Sequence, residues 1–132
     1  MTEAVFEGAG PEQLFREKLA AGELTIQRCE ACRAATAQPV VLCPACGAAA
    51  LMRTPASGRG IVYSVTVVRS GPGREKPYCV ALVDLEEGPR LMSRVEGVPP
   101  EEVRIGMAVE AEVVVPPEGE AVHIFRPVEA AA

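Results

Sequence analysis

Four cysteines in two matched pairs, Cys29-x-x-Cys32 and Cys43-x-x-Cys46, stand ten residues apart. Each pair can form a tight knuckle that presents two sulfurs to one ion. A linker of ten residues is long enough for a hairpin to bring the second knuckle opposite the first. Four thiolates then meet one metal tetrahedrally, the closed arrangement of a structural zinc site. Pro44 and Gly47 frame the second knuckle, and Gly47 suits the positive φ that a turn around a metal often needs. Three other uses of these thiols compete. A redox dithiol needs no second pair and sits in a βαβ surround that is missing here. Disulfides suit neither the odd total of five cysteines nor a start without a secretion pattern. Four thiolates also hold iron in rubredoxin-type electron carriers, a scheme in which an attached strand-built domain has no role.

Other reactive residues are sparse. His123 is the single histidine, and on an alternating strand it faces away from Val122 and Ile124 as a partly exposed residue. A general base needs a partner that the sequence does not declare. Cys79, between Tyr78 and Val80 at a strand start, reads as a small apolar wall residue. Glu86-Glu87 fall in a turn signal, and Glu101-Glu102 open a helical turn whose dipole favours them. No catalytic constellation emerges, so binding is the expected role.

Charge is unevenly placed. From Arg59 to Lys76 four basic residues (Arg59, Arg69, Arg74, Lys76) face Glu75 alone, a local +3. From Asp84 onward four basic residues face eleven acidic ones, a local −7. The basic stretch is either a site for a compact anion or a solvated loop. The net charge of −5 opposes general attraction to nucleic acid or an anionic membrane. Ala34 to Met52 carries no charge, but Pro39, Pro44 and Gly47 exclude a spanning helix. A reducing cytoplasm is the expected compartment.

The elements that position the cysteines follow from pattern. Pro11 to Ala21 reads as a helix with Gly22 at its C-terminal cap, and Leu14, Phe15 and Leu19 form an apolar stripe with Lys18 at its edge. Either this chain's own body or a partner protein must cover that stripe. Leu24–Arg28 leads as a strand into the first knuckle, Ala37–Leu42 leads into the second, and Ala48–Thr54 supplies a third ribbon strand. A ribbon of about 30 residues is too small for its own core, so a metal would supply folding energy on the order of ten kcal/mol. The turn-rich Thr54-Pro55-Ala56-Ser57-Gly58 marks a boundary. Beyond it five strands are expected: Ile61–Val68, Tyr78–Leu85, Arg90–Val95, Met107–Val115 and Val122–Arg126. Ser70 to Gly73 and Pro116 to Glu120 punctuate them, Val98 to Val103 makes one helical turn, and the last residues form a frayed tail. Five short strands without crossover helices suit a small closed barrel of the OB type.

Ser57-Gly58-x-Gly60-x-Val62-Tyr63-Ser64, directly after the cysteine ribbon, is a specific combination. With Pro77-Tyr78-x-Val80-Ala81-Leu82-Val83 and Ile105-Gly106-Met107-x-Val109, it resembles the zinc-ribbon/OB-fold acyl-CoA-associated proteins, also called domain of unknown function 35. The resemblance covers roughly residues 11 to 127. It implies a mostly β architecture: an N-terminal helical segment (1–22), a rubredoxin-like zinc ribbon (23–57) and a five-stranded OB-fold barrel (58–132). It also implies a non-catalytic scaffold that accompanies a thiolase, a thiolase-like aldolase or a hydroxymethylglutaryl-CoA synthase, and that holds acyl-CoA. Cys29, Cys32, Cys43 and Cys46 would be the zinc ligands. The coenzyme's phosphates are assigned here to the basic loop, through Arg69, Arg74 and Lys76. Two departures stand out: Arg33 replaces the glycine often found after the first knuckle, and no tryptophan precedes the barrel. The rival reading is a single-stranded nucleic-acid module, since ribbons and OB barrels serve that role too. Three Phe, two Tyr and an acidic barrel give it little stacking surface and little positive groove.

Overall fold

Ten residues from Pro11 to Ala20 form the helix α1. Pro11 sits at its first turn, where a missing N–H costs nothing. Its end is a Schellman motif: Glu23 N–H donates to the Lys18 carbonyl and Gly22 N–H to that of Leu19, both at 2.8 Å. The computed structural model describes residues 10–69, 76–117 and 119–128. The Ser70–Gly73 turn, the C-terminal tail and the first nine residues lie outside them.

Three strands build the ribbon: β1 (Thr25–Cys29), β2 (Ala35–Thr36) and β3 (Leu51–Pro55), with β1 central and both pairings antiparallel. The expected strand over Ala37–Leu42 does not form. The Gln27 amide takes its place, donating to the Val40 carbonyl at 3.0 Å and accepting the Val40 N–H at 2.8 Å. A side chain thus satisfies backbone groups that a ladder would otherwise have paired.

The second sheet is built from β4 (Arg59–Val68), β5 (Tyr78–Leu85), β6 (Arg90–Ser93), β7 (Ala108–Val114) and β8 (Val122–Pro127), in the order β6-β5-β4-β7-β8. One 3-10 turn, Pro100–Glu102, lies between β6 and β7. All ladders are antiparallel, and the sheet is open. Among the described residues a single parallel bridge, Val95 to Phe125, ties its two ends; Glu96 N–H donates to Phe125 O and Phe125 N–H to Arg94 O, both 2.8 Å. This is the OB order of five strands, joined at one point instead of along a ladder.

A register shift between Val62 and Ser64 changes the inward face of β4. Before it Val62 is fully buried while Ile61 faces out; after it Val65 packs on the core. Tyr63, at the bulge, is half exposed. A bulge carries one extra residue, so an alternating pattern switches faces across it. At Gly60 the strands approach closely: a Cβ there would stand 2.5 Å from a Val83 methyl and 2.8 Å from the Asp84 carbonyl.

The core centres on Phe125, Val62, Val83 and Val109. Leu19 of α1 and Leu24, Ile26 and Ala37 of the ribbon belong to the same buried cluster. Helix, ribbon and barrel therefore share apolar burial. Phe15 packs against this cluster too, so this chain's own body covers much of the α1 stripe. Among the described residues no helix is long and apolar enough to cross a membrane.

Candidate metal centre and its surroundings

The two knuckles are built alike. Arg33 N–H donates to the Cys29 carbonyl and Gly47 N–H to the Cys43 carbonyl, each at 2.8 Å. Cys29 N–H reaches Ala34 O and Cys43 N–H reaches Ala48 O, again at 2.8 Å. Gly47 has φ 82°, as its place in the sequence leads one to expect. Arg33 has φ 72° at the matching place, the single positive φ outside glycine among the described residues. Its carbonyl accepts a hydrogen bond from Arg28 Nη1 at 2.9 Å.

These turns bring all four sulfurs within 4.8 Å of one another. Cys29 Sγ lies 3.7 Å from Cys46 Sγ, and Cys32 Sγ lies 3.6 Å from Cys43 Sγ. Four sulfurs at a zinc–sulfur distance of about 2.3 Å around one tetrahedral centre stand about 3.8 Å apart. The observed spacing fits that polyhedron. Cys29 and Cys43 are buried, while Cys32 and Cys46 are exposed.

The electrostatics of the cluster also call for a cation. The Cys32 amide lowers the pKa of Cys29, and the Cys46 amide brings Cys43 down to about 7. Cys46 is pushed up to about 12: the Ala48 amide pulls down, but hydrogen bonding with the Cys32 and Cys29 thiols outweighs it. Thiolates this close repel one another, and a divalent ion at their centre relieves all of them at once.

Of the three basic residues assigned to phosphate contact, Arg69 and Lys76 lie among the described residues. Arg69 Nη1 pairs with Glu101 at 2.9 Å, with both side chains exposed. Such a pair contributes little and opens easily. Lys76 is exposed at the mouth of a cleft of about 520 Å³ that Tyr78, Cys79 and Arg94 also line. Arg74 lies outside the described residues. Arg59, the fourth basic residue of that stretch, is held by Glu86 through two 2.9 Å hydrogen bonds.

His123 has a structural setting. Its Nδ1 lies 2.8 Å from Ser93 Oγ, which also reaches the His123 carbonyl at 3.0 Å. Its ring meets Phe15 edge-on at 6.1 Å, and burial lowers its pKa. Phe15 in turn has the Arg53 guanidinium 6.0 Å from its ring centre. One side chain of α1 thus touches both ribbon and barrel. Cys79 is buried, its thiol donating to the Val95 carbonyl at 3.3 Å.

Two surface features join residues that the sequence alone does not show to be neighbours. One is an apolar groove of about 340 Å³ between α1 and the ribbon, lined by Leu14, Val41, Leu51 and Met52. Leu14 is 42%, Val41 48%, Leu42 55% and Met52 51% exposed. The charge-free stretch Ala34–Met52 was the signal for it. The polar groups at its floor are already engaged: Gln27 with Val40, and Arg53 with Thr25 Oγ1 and the Pro11 carbonyl. The second is a pair of stacks on the barrel's outer face, Arg90 over Tyr63 at 3.4 Å and Arg94 over Tyr78 at 4.1 Å.

Known proteins share this arrangement. Residues 16–51 match the family model described as the ChsH2 rubredoxin-like zinc ribbon domain, and residues 53–114 that of the ChsH2 C-terminal OB-fold domain. The chain is 39% identical over 106 residues to a probable enoyl-CoA hydratase alpha subunit of Thermomonospora curvata, covering 79% of this chain and 33% of that protein. It is 46% identical over 72 residues to a DUF35 domain-containing scaffold protein of Pyrococcus furiosus, covering 52% of this chain and 53% of that one. Among solved structures, the Ltp2-ChsH2(DUF35) aldolase matches with a TM-score of 0.77 at 34% identity, over 95% of this chain and 98% of the matched one. The match spans a third of the hydratase subunit's length and about half of the scaffold protein's.

Proposed function

Because this chain belongs to the DUF35 family of zinc-ribbon and OB-fold proteins, we propose that it is a non-catalytic accessory subunit of an acyl-CoA enzyme. Its partner is a thiolase-superfamily enzyme: a thiolase, a thiolase-like aldolase or a hydroxymethylglutaryl-CoA synthase. Cys29, Cys32, Cys43 and Cys46 hold one structural zinc ion. The chain works in three parts, residues 1–22, 23–57 and 58–132, with the first two docking on the enzyme and the third turned toward acyl-CoA. The setting is a reducing compartment such as the cytoplasm, where the thiols stay available to the metal.

One observation carries the reading: the groove of Leu14, Val41 and Met52 is apolar and exposed on a chain with a net charge of −5. An acidic protein gains nothing in water from a bare apolar surface, but a contiguous apolar patch rimmed by polar residues is what a protein partner buries. The names of the relatives, a hydratase alpha subunit, scaffold proteins and an aldolase complex, support a partner that is an enzyme.

The coenzyme is assigned to the β4–β5 side of the barrel. Arg69 and Lys76 flank that connection and Arg74 lies within it in sequence. Arginine and lysine can neutralise the coenzyme's phosphates once Arg69 releases Glu101. The partner supplies the reactive groups. This chain contributes a channel wall that retains the acyl group, raising its effective concentration without lowering a bond-making barrier.

Affinity capture tests the reading. Tagged, zinc-loaded chain should retain a thiolase-superfamily enzyme from its native cells, and coenzyme A should bind the complex more tightly than the enzyme alone. Retention of no such enzyme, with the chain itself monodisperse, would overturn it.

A further inference from the structure

The outer face of β4, β5 and β6 repeats one arrangement at its two ends. At one end Arg90 stacks on Tyr63 and pairs with Asp84. At the other, Arg94 stacks on Tyr78 and lies 3.8 Å from Glu96. Between them stands Met92, 57% exposed, opposite the partly buried Leu82 on β5. Arg90, Met92 and Arg94 alternate along the strand edge, so all three point outward while Leu91, Ser93 and Val95 are buried. Both tyrosines of the chain lie on this one face. Each half therefore holds an aromatic ring, a guanidinium stacked on it and a carboxylate, placed on either side of Met92.

We propose that this face joins two copies of the chain about a twofold axis through Met92. A twofold interface is self-complementary: residue i of one copy meets residue j of the other, and j meets i. An axis at Met92 sets the Tyr63–Arg90–Asp84 end of one copy on the Tyr78–Arg94–Glu96 end of its mate. Each guanidinium then gains a second carboxylate across the interface, and each carboxylate a second guanidinium. Met92 meets Met92 at the centre, beside Leu82. Tyrosine, arginine and methionine are the residue types that interfaces favour, and the flat aromatic surfaces here are already ordered by the stacked arginines.

Charge selects this occupant over others. The two stacks hold two cations and two carboxylates, so these paired groups carry no net charge, and Lys76 stands at the edge of the Tyr78 end. Two copies with a charge of −5 each repel over most of their surfaces, and a locally neutral face lets them approach. The apolar groove by the ribbon lies on other elements, α1 and β3, and stays open to an enzyme partner.

The test uses the full-length, zinc-loaded chain alone, so it is independent of any enzyme partner. Sedimentation velocity across a concentration series should show a species of twice the 13.9 kDa chain mass. Met92→Glu should raise the dimer dissociation constant by about tenfold or more. Arg94→Glu, which sets like charges against the Asp84 end of the mate, should do the same. Both sites are surface positions, so far-UV circular dichroism and zinc content should not change. Met92→Cys should give a disulfide between the introduced thiols of the two copies when oxidised glutathione is added, located by peptide mapping. A chain that stays monomeric throughout, or a dimer that Met92→Glu leaves intact, would overturn the proposal. A dimer that never links through Met92→Cys would equally do so.

Discussion

Arg33 and Gly47 occupy matching places in the two cysteine knuckles, at φ 72° and 82°. The same backbone bond, N–H to the carbonyl of the knuckle's first cysteine, closes both turns at 2.8 Å. Glycine takes this conformation freely, whereas a residue with a Cβ meets a following carbonyl oxygen and is strained by roughly 1–2 kcal/mol. The chain accepts that strain at Arg33 because the metal knuckle requires the turn.

Arg33→Gly should therefore stabilise the protein. Relief of the strained φ exceeds the greater entropy glycine loses on folding, leaving a net gain of about 0.5–1 kcal/mol. Arg33 donates no side-chain hydrogen bond among the described contacts, so little is lost with it. Thermal unfolding of zinc-loaded protein should show a raised midpoint. A lowered midpoint would mean that the arginine side chain serves the knuckle in a way its backbone does not reveal.

Gly60 is constrained by closeness. Gly60→Ala places a methyl 2.5 Å from Val83 Cγ1 and 2.8 Å from the Asp84 carbonyl oxygen, and the second is backbone that cannot swing away. Overpacking of this kind costs about 1–3 kcal/mol. Denaturant unfolding should give a lower midpoint with zinc content unchanged, because the damage falls in the barrel. Wild-type stability in this variant would show that β4 and β5 have slack there.

The pH dependence should carry a signature of His123. Burial lowers its pKa below the ordinary value of 6.5, so the unfolded chain binds the proton more readily than the folded one. Stability is then full above pH 6.5 and declines as pH falls through the window between the unfolded and folded values. Glu12, Arg16 and Glu120 line one cleft beside His123, and Arg94 and Glu96 line a second, but burial is the cause of its shift. His123→Gln should flatten this part of the profile, read by thermal midpoints on zinc-loaded protein. An unchanged slope would place the pH sensitivity elsewhere.

Much of this was readable from residue order, for reasons that differ by element. Cysteine spacing announces a metal knuckle because two sulfurs on one ion admit few loop lengths. The strand Tyr78–Leu85 has the bounds expected of it, since alternation is uninterrupted and turn residues close both ends. β4 defied alternation: nothing in Ile61-Val62-Tyr63-Ser64 marks which residue a bulge will leave unpaired. The ribbon segment Ala37–Leu42 looked like a strand, yet its partner is the amide of Gln27, a tertiary contact thirteen residues away that no local pattern encodes. The groove at Leu14 and Met52 depends on α1 folding back beside β3. The α1 stripe with Leu14 and the charge-free run Ala34–Met52 each hint at one wall of it, but neither shows that the two walls meet.

Groove and metal should be separable by mutation. Met52→Glu places a charge at the groove wall on a half-exposed side chain, so folding and zinc content should survive. Capture of the enzyme partner should weaken by about tenfold or more. Cys43→Ser removes a buried sulfur from the cluster. It should abolish stoichiometric zinc and disorder the knuckles, with the barrel strands largely intact by circular dichroism. If Cys43→Ser keeps its zinc, the fourth ligand lies elsewhere.

A zinc-built ribbon is, on this proposal, the handle by which the chain docks on an enzyme of acyl-CoA metabolism. The most direct measurement is capture of a thiolase-superfamily partner by the same preparation in three states: zinc-loaded, stripped by a chelator, and reloaded with one equivalent of zinc. Retention is expected in the first and third states and loss in the second. Equal retention with and without the metal, or none in any state, would contradict the zinc-dependent handle.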